Sequence, residues 1–201
     1  MKKACIILLV FCSFLAYSQV PRYATVGLNK GRIKDGRGDF YGNIYLLEAN
    51  MPIIRSGWIS FTGRIAATDI NRVRTYGNYY TYEKSNGINF EPELNVHLRF
   101  YAFDVYPSAA LSFRYADNQH ISQMGYTTEM GTGRVYDFHV IYIEDKGFYT
   151  GFTLGLNVDL NLTRHLILGA RWGGMAYADY GYSYKAICLK YRFLNSSQIK
   201  D

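Results

Sequence analysis

Gly87 to Asp104 reads GINFEPELNVHLRFYAFD. Every second residue from Ile88 gives Ile88, Phe90, Pro92, Leu94, Val96, Leu98 and Phe100, while between them stand Asn89, Glu91, Glu93, Asn95, His97 and Arg99. One side is apolar and the other ionic. Successive side chains of a strand point to opposite faces of its sheet, so a period of two sustained over this length predicts a strand with two opposed surfaces. The alternation does not say which surface meets water; the rest of the chain bears on that.

The pattern recurs. Strands are predicted near Arg22–Lys30, Phe40–Asn50, Gly57–Thr68, Ile88–Phe100, Val105–Ala116, Phe148–Leu160, Leu166–Ala178 and Gly181–Phe193. These are about eight segments, each near the roughly 9 to 11 residues a tilted strand needs to cross a membrane. Their connections alternate in length. Met51–Ser56, Tyr101–Asp104 and Asn161–His165 are short, whereas GRIKDGRGD from Gly31, the stretch from Asp69 to Gly87 and that from Asp117 to Gly147 are long. In an up-and-down barrel alternate connections lie at one end, so one rim is tight and the other carries loops. The segment RVYDFHVIYIEDKG alternates too, which predicts either an extension of this hairpin above the bilayer or two further strands between Asp117 and Gly147.

The cost of burying charge in lipid favours an orientation. An Arg facing the bilayer core costs roughly 2–4 kcal/mol, so Glu91, Glu93 and Arg99 together would consume much of a net stability of about 5–15 kcal/mol. If this strand crosses lipid, its ionic face looks inward. The segment from Phe148 agrees, with Phe152, Leu154 and Leu156 opposite Thr153, Asn157 and Asp159, and so do Val105–Ala116 and Leu166–Trp172. Glycines on the polar faces make room inside a narrow barrel for large neighbours such as Arg171 or Tyr149. A soluble lipocalin-like binding barrel, apolar within and charged without, carries the same alternation and stands as an alternative. Phe40–Asn50 has no clean face, because Ile44 and Leu46 share a side with Glu48. Pro92 removes a ladder hydrogen bond and predicts a bulge or a place near the rim.

The chain opens MKKACIILLVFCSFLAYSQ, with Lys2 and Lys3, an apolar run and Ala16 and Ser18 in cleavage-site spacing. This reads as a secretory signal peptide over residues 1–18, leaving residues 19–201 as one barrel domain. Cys188 is then the only cysteine left, so stability comes from pairing and packing. Without Lys2 and Lys3 the formal charge of +6 falls to +4, too mild to point to nucleic acid. The 20 tyrosines fit positions where a ring meets both an apolar layer and water.

The segment YKAICLKYRF, with Ile187, Leu189, Tyr191 and Phe193 on one face, resembles the terminal strand by which outer-membrane barrels are recognised for assembly, though Leu194–Asp201 follow it. From signal to last strand the layout is similar to that of small eight-stranded outer-membrane barrels of the OmpA, OmpX and PorT type. That resemblance implies an all-β, up-and-down antiparallel transmembrane β-barrel in the outer membrane of a Gram-negative cell. It would be a monomer in outer-membrane lipid.

Eight strands enclose a space that side chains fill. Glu91, Glu93, His97, Arg99, Arg114, Asp159 and Arg171, with Lys190 and Arg192, are the predicted lumen network, whose charges must pair. In the second long connection Arg72 and Arg74 interleave with Tyr76, Tyr79, Tyr80 and Tyr82, a composition suited to sugars or a protein surface. The reading is therefore a non-enzymatic barrel whose loops contact envelope partners or surface glycans; an accessory subunit of a secretion machine is a further alternative. For catalysis the candidates are His120 and Ser122, two apart, with Glu129 downstream. They resemble the His-x-Ser and Glu of outer-membrane lipid A deacylases, a lipid hydrolase alternative, but follow the fifth strand where that family places them near the chain end. His120, His139, Asp137 and Glu129 lack metal-site spacing, and no cofactor is expected.

Overall fold

The structure, a computed structural model, describes residues 24–36, 40–54, 57–100, 102–178 and 180–193. The predicted signal peptide and the tail after Phe193 lie outside the described residues. The strands are β1 (Ala24–Asp35), β2 (Tyr41–Pro52), β3 (Ile59–Tyr76), β4 (Tyr79–Val96), β5 (Leu98–Phe100), β6 (Phe103–Thr128), β7 (Val135–Asn161), β8 (Leu166–Tyr177) and β9 (Gly181–Phe193). Short β5 continues β4 past His97, so together they form one stave. Each stave pairs antiparallel with its neighbours in the chain, and β1 pairs with β9, which closes a ring of eight.

Following paired residues around the ring runs Thr25, Asn50, Thr62, Glu93, Ala110, Thr153, Met175, Tyr182 and back to β1 at Asp35. The circuit returns ten residues further along the strand than it began. Stagger of this kind is what tilts the strands of a closed barrel, typically by about 35–45°. All the residues on the circuit face inward, so one register sets the lining of the whole lumen.

The polarity is inverted relative to a soluble barrel. Leu94 and Phe152 are 54% and 52% exposed on the outer wall, while neighbouring Glu93 is 1% exposed in the lumen. Ile187, Leu189, Tyr191 and Phe193 also face out. This is the architecture of a transmembrane barrel; the lipocalin-like alternative needed Leu94 and Phe152 at the centre.

Four expectations are corrected. On β2, Gly42, Ile44, Leu46 and Glu48 all face the lumen while Tyr45 and Leu47 face out, because the upper lumen is apolar and aromatic. Ile33, Ile44, Leu46, Ile70 and Met175 pack there against Tyr177, Tyr182 and Tyr184, so the ion-pair network is confined to the lower half and the upper interior holds one buried cation, Arg114, among apolar and aromatic groups. Pro92 sits mid-wall, opposite Gly63, with no register shift; pairing to β6 simply lapses between Phe90 and Glu93, on the side where its missing N–H would have donated. Lastly, the stretches Asp69–Gly87 and Asp117–Gly147 are mostly strand. They lengthen β3, β4, β6 and β7 without adding staves.

The hairpin tips are small: Gly77 and Asn78 for β3–β4, with Gly77 at φ +58°, and residues 129–134 for β6–β7. β6 runs on from Asp117, where Lys84 and Lys146 ring it at 3.5 and 3.8 Å, to Thr128. At roughly 3.3 Å per residue this carries the hairpin about 35 Å beyond that ionic collar. Register shifts at Ser122 and Tyr126 add local twist. Tyr79 stacks on Phe138 at 4.9 Å and Tyr76 lies 6.0 Å from Tyr126, so the two hairpins support one another.

Candidate functional site

The barrel offers three places where chemistry is concentrated: an ionic lower lumen, an open mouth, and the hairpins. In the lower lumen Glu93 is the hub. Arg64 donates to its two oxygens at 2.5 and 2.7 Å, and Arg171 donates to both as well, one contact at 3.2 Å. Arg64 also reaches Glu91 at 3.2 Å and Glu48 at 3.4 Å; Lys190 joins Glu48 at 3.0 Å to Asp159 at 2.9 Å and donates to the Tyr106 hydroxyl. These groups are almost wholly enclosed. Burial on this scale is tolerable only because each charge meets opposite charge and hydrogen bonds.

The small residues around them are placed by need. A Cβ on Gly155 would come within 3.0 Å of the Arg171 guanidinium, and one on Gly173 within 2.4 Å of the Tyr184 ring. Arg171 in turn donates to the Tyr184 hydroxyl at 2.5 Å and to Asn157 at 2.8 Å.

Arg114 is buried higher up. It donates to Thr68 at 2.7 Å, Asn89 at 3.0 Å and Ser85 at 3.2 Å, and lies 5.2 Å over the Tyr182 ring. Of the nine predicted lumen residues, Glu91, Glu93 and Arg171 sit together, with Asp159 joined to them through Lys190 and Glu48; Arg114 stands apart, and Arg192 is buried near the lower end, donating to Asn161. His97 and Arg99 meet Asp104 at the lower rim.

That rim holds an arrangement the sequence did not reveal. The Ser60 hydroxyl lies 2.7 Å from His97 Nε2, and His97 Nδ1 lies 2.8 Å from Asp104 Oδ2. Nucleophile, base and carboxylate are therefore in line. Yet Asn50 and Asn95 both donate to Ser60 Oγ, at 2.7 and 3.2 Å, and so occupy the lone pairs a nucleophile would use. The adjoining cavity is about 30 Å³, room for a water rather than an ester. The line reads as a clamp joining β3, β4 and β6. Sequence separation hid it, since Ser60 and His97 meet only through the β3–β4 register.

The catalytic candidates named from the sequence are spread along the outer hairpin. His120 and Ser122 are exposed on β6, Ser122 within a register shift, and no hydrogen bond joins them. Glu129 stands at the tip, accepting from the Thr132 hydroxyl at 2.7 Å. Of the loop residues, Arg72 pairs with Glu83 at 3.3 Å and lies 5.0 Å over the Phe40 ring, while Tyr76 and Tyr79 are engaged by the neighbouring hairpin. Tyr80 and Tyr82 face outward and Arg74 is exposed.

The mouth is a cavity of about 480 Å³ at the hairpin end. Phe40, Tyr149, Tyr180 and Tyr182 supply ring surfaces; Asp35, Asn118, Gln119, His120 and Asp145 supply polar groups. Tyr149 meets Tyr180 edge-on at 5.3 Å, donates to Asp145 at 2.6 Å and accepts from Asn118 at 3.1 Å. Rings held rigid beside carboxylates and amides can stack on, and hydrogen-bond to, a polyhydroxylated ligand.

No protein-family model and no curated protein matches the chain. Among solved structures, the N-terminal β-barrel domain of Pseudomonas aeruginosa OprF superposes with a TM-score of 0.52 at 10% identity, covering 87% of this chain and 100% of that one. The Yersinia pestis attachment invasion locus protein Ail, solved with the heparin analogue sucrose octasulfate, gives 0.51 at 12% identity over 85% and 97%. Neisserial surface protein A gives 0.51 at 13% over 85% and 96%. The chain has the fold of the small eight-stranded outer-membrane barrels.

Proposed function

We propose that the protein is a non-enzymatic barrel of the outer membrane, closed to ions, that binds surface saccharide at its hairpin-framed mouth. The observation that carries this reading is the aromatic vestibule of Phe40, Tyr149, Tyr180 and Tyr182 above a lumen filled by side chains. The apolar outer wall supports lipid as its environment, and the short-turn rim, where β1 begins and β9 ends, supports an inward-facing, periplasmic side. Export by the predicted signal peptide belongs to the same reading. Envelope fractionation together with heat-modifiable migration tests the location. For binding, calorimetry of the detergent-folded monomer with envelope oligosaccharides is expected to show uptake that Tyr149→Ala and Tyr182→Ala each weaken. Unchanged affinity in both variants would remove the vestibule from the reading.

A further inference from the structure

The outer wall carries a patch that the apolar belt does not explain. Three rows of paired, outward-facing residues cross β7, β8, β9 and β1: Leu154, Gly174, Ser183 and Lys34; Leu156, Trp172, Lys185 and Arg32; Val158, Ala170, Ile187 and Lys30. On β7 the column is aliphatic. On β1, three staves away, it is Lys30, Arg32 and Lys34, with Lys185 beside them. Between the two columns lies a groove of about 640 Å³ lined by Leu154, Leu156, Trp172, Gly174, Ser183 and Lys185.

These cations are on the lipid side of the wall and lack acidic partners. Arg32 donates to the neutral Asn43 at 3.2 Å, and Lys30 lies 5.7 Å over the Tyr45 ring. Among the described residues no ion pair involves Lys30, Arg32, Lys34 or Lys185, and none of the outward positions of β1, β2, β8 or β9 is an acid. The cations on the opposite side behave differently: Lys84 and Lys146 both turn to Asp117. A membrane-facing Lys or Arg is expensive unless it reaches an anion at the headgroup level. Four together, on the half of the wall nearer the long hairpins, require a concentrated one.

We infer that Lys30, Arg32, Lys34 and Lys185 with the adjoining groove form a binding site for a phosphorylated lipid of the outer leaflet, its phosphate on the basic column and an acyl chain along Leu154, Trp172 and Gly174. Charge complementarity selects the head, and the apolar groove running away from it selects a chain, so inorganic phosphate alone satisfies half the site. The juxtaposition is a product of register, since the aliphatic and basic columns come from opposite ends of the chain. Gly174 keeps the groove open: a Cβ there would meet only the Tyr182 carbonyl oxygen at 3.7 Å, so the missing side chain is not demanded by packing within the barrel. The inference rests on the membrane placement proposed above.

Trp172 reports on the groove from within. In a Trp58→Phe background it is the sole tryptophan. The protein folded into phosphatidylcholine vesicles is titrated with phosphatidic acid carrying brominated chains, and separately with brominated phosphatidylcholine. Heat-modifiable migration is checked first, so a failure to insert is distinguished from a failure to bind. Trp172 is expected to be quenched with roughly tenfold preference for phosphatidic acid. The preference is expected to vanish in Arg32→Gln/Lys34→Gln/Lys185→Gln, to fall in Gly174→Leu, and to survive millimolar inorganic phosphate. Equal quenching by the two lipids in the inserted parent protein, or an undiminished preference in the triple variant, overturns the assignment.

Discussion

Replacing Glu93 with Gln tests the ionic hub with almost no change in shape. The carboxylate receives four guanidinium contacts, two from Arg64 at 2.5 and 2.7 Å and two from Arg171, one of them at 3.2 Å. A Gln amide keeps one accepting oxygen and turns an NH2 group toward N–H donors, so at least two contacts become donor against donor. It also leaves Arg64 with Glu48 and Glu91 as its acids, and Arg171 with only the neutral Tyr184, Asn157 and Ser108 as hydrogen-bond partners. Breaking a buried pair by removing one partner costs about 3–5 kcal/mol, and Glu93→Gln is expected to lie in that range. The assay is reversible urea unfolding from phospholipid vesicles, read as a shift in midpoint at constant slope. In combination with Arg171→Met the cost is expected to be smaller than the sum of the single costs, because the second change removes a cation the first left unpaired. A loss below about 1 kcal/mol, the worth of an exposed pair, would refute the claim that this network is dry and shared.

Leu94→Arg puts a charge on the outer wall beside the hub and is expected to cost about 2–4 kcal/mol in the same assay; a neutral result would place that face in water. A fluorophosphonate is expected not to label Ser60, because Asn50 and Asn95 hold its oxygen and the cavity admits little more than water; covalent labelling lost in Ser60→Ala would make the clamp a catalytic triad. Replacing residues 119–143 with a short turn is expected to leave heat-modifiable migration and the urea midpoint near those of the parent, since this hairpin stands outside the wall. A chain that no longer inserts would show that the hairpin belongs to the folding unit.

The legibility of each element in the sequence follows the contrast between its two surroundings. Ile88–Phe100 reads clearly because lipid lies on one side and Glu48, Arg64 and Arg171 on the other. Phe40–Asn50 does not, because the lumen changes character along it: Glu48 meets Lys190, whereas Ile44 and Leu46 meet a second apolar layer of Ile33 and Met175. Alternation then carries no polarity, although the strand is as regular as its neighbours. The outer halves of β6 and β7 have little lipid or lumen against them, so the alternation of RVYDFHVIYIEDKG on β7 separates no two surroundings and Asp117–Thr128 on β6 reads as loop.

The candidate sites divide along the same physical line. Inward charges could be named singly, since a charge on a membrane strand must face the axis, but their grouping depends on a ten-residue stagger that no local pattern encodes. Ser60 and His97 meet only through the pairing of β3 with β4. The basic column is the instructive intermediate: Lys30, Arg32 and Lys34 share the alternate positions of Val26 and Leu28, the face that β1 turns to lipid. The rule that sends Glu93 inward should have sent these three inward too. They remain outside because Gly27, Asn29, Gly31 and Ile33 occupy the lumen side, where a Cβ on Gly31 would already come within 2.0 Å of the Lys185 carbonyl oxygen and 2.6 Å of the Ala186 Cα. With no space inward and no acid alongside, the energy of these cations has to be met from the membrane, which is why their exception to the pattern, rather than their agreement with it, marks a site.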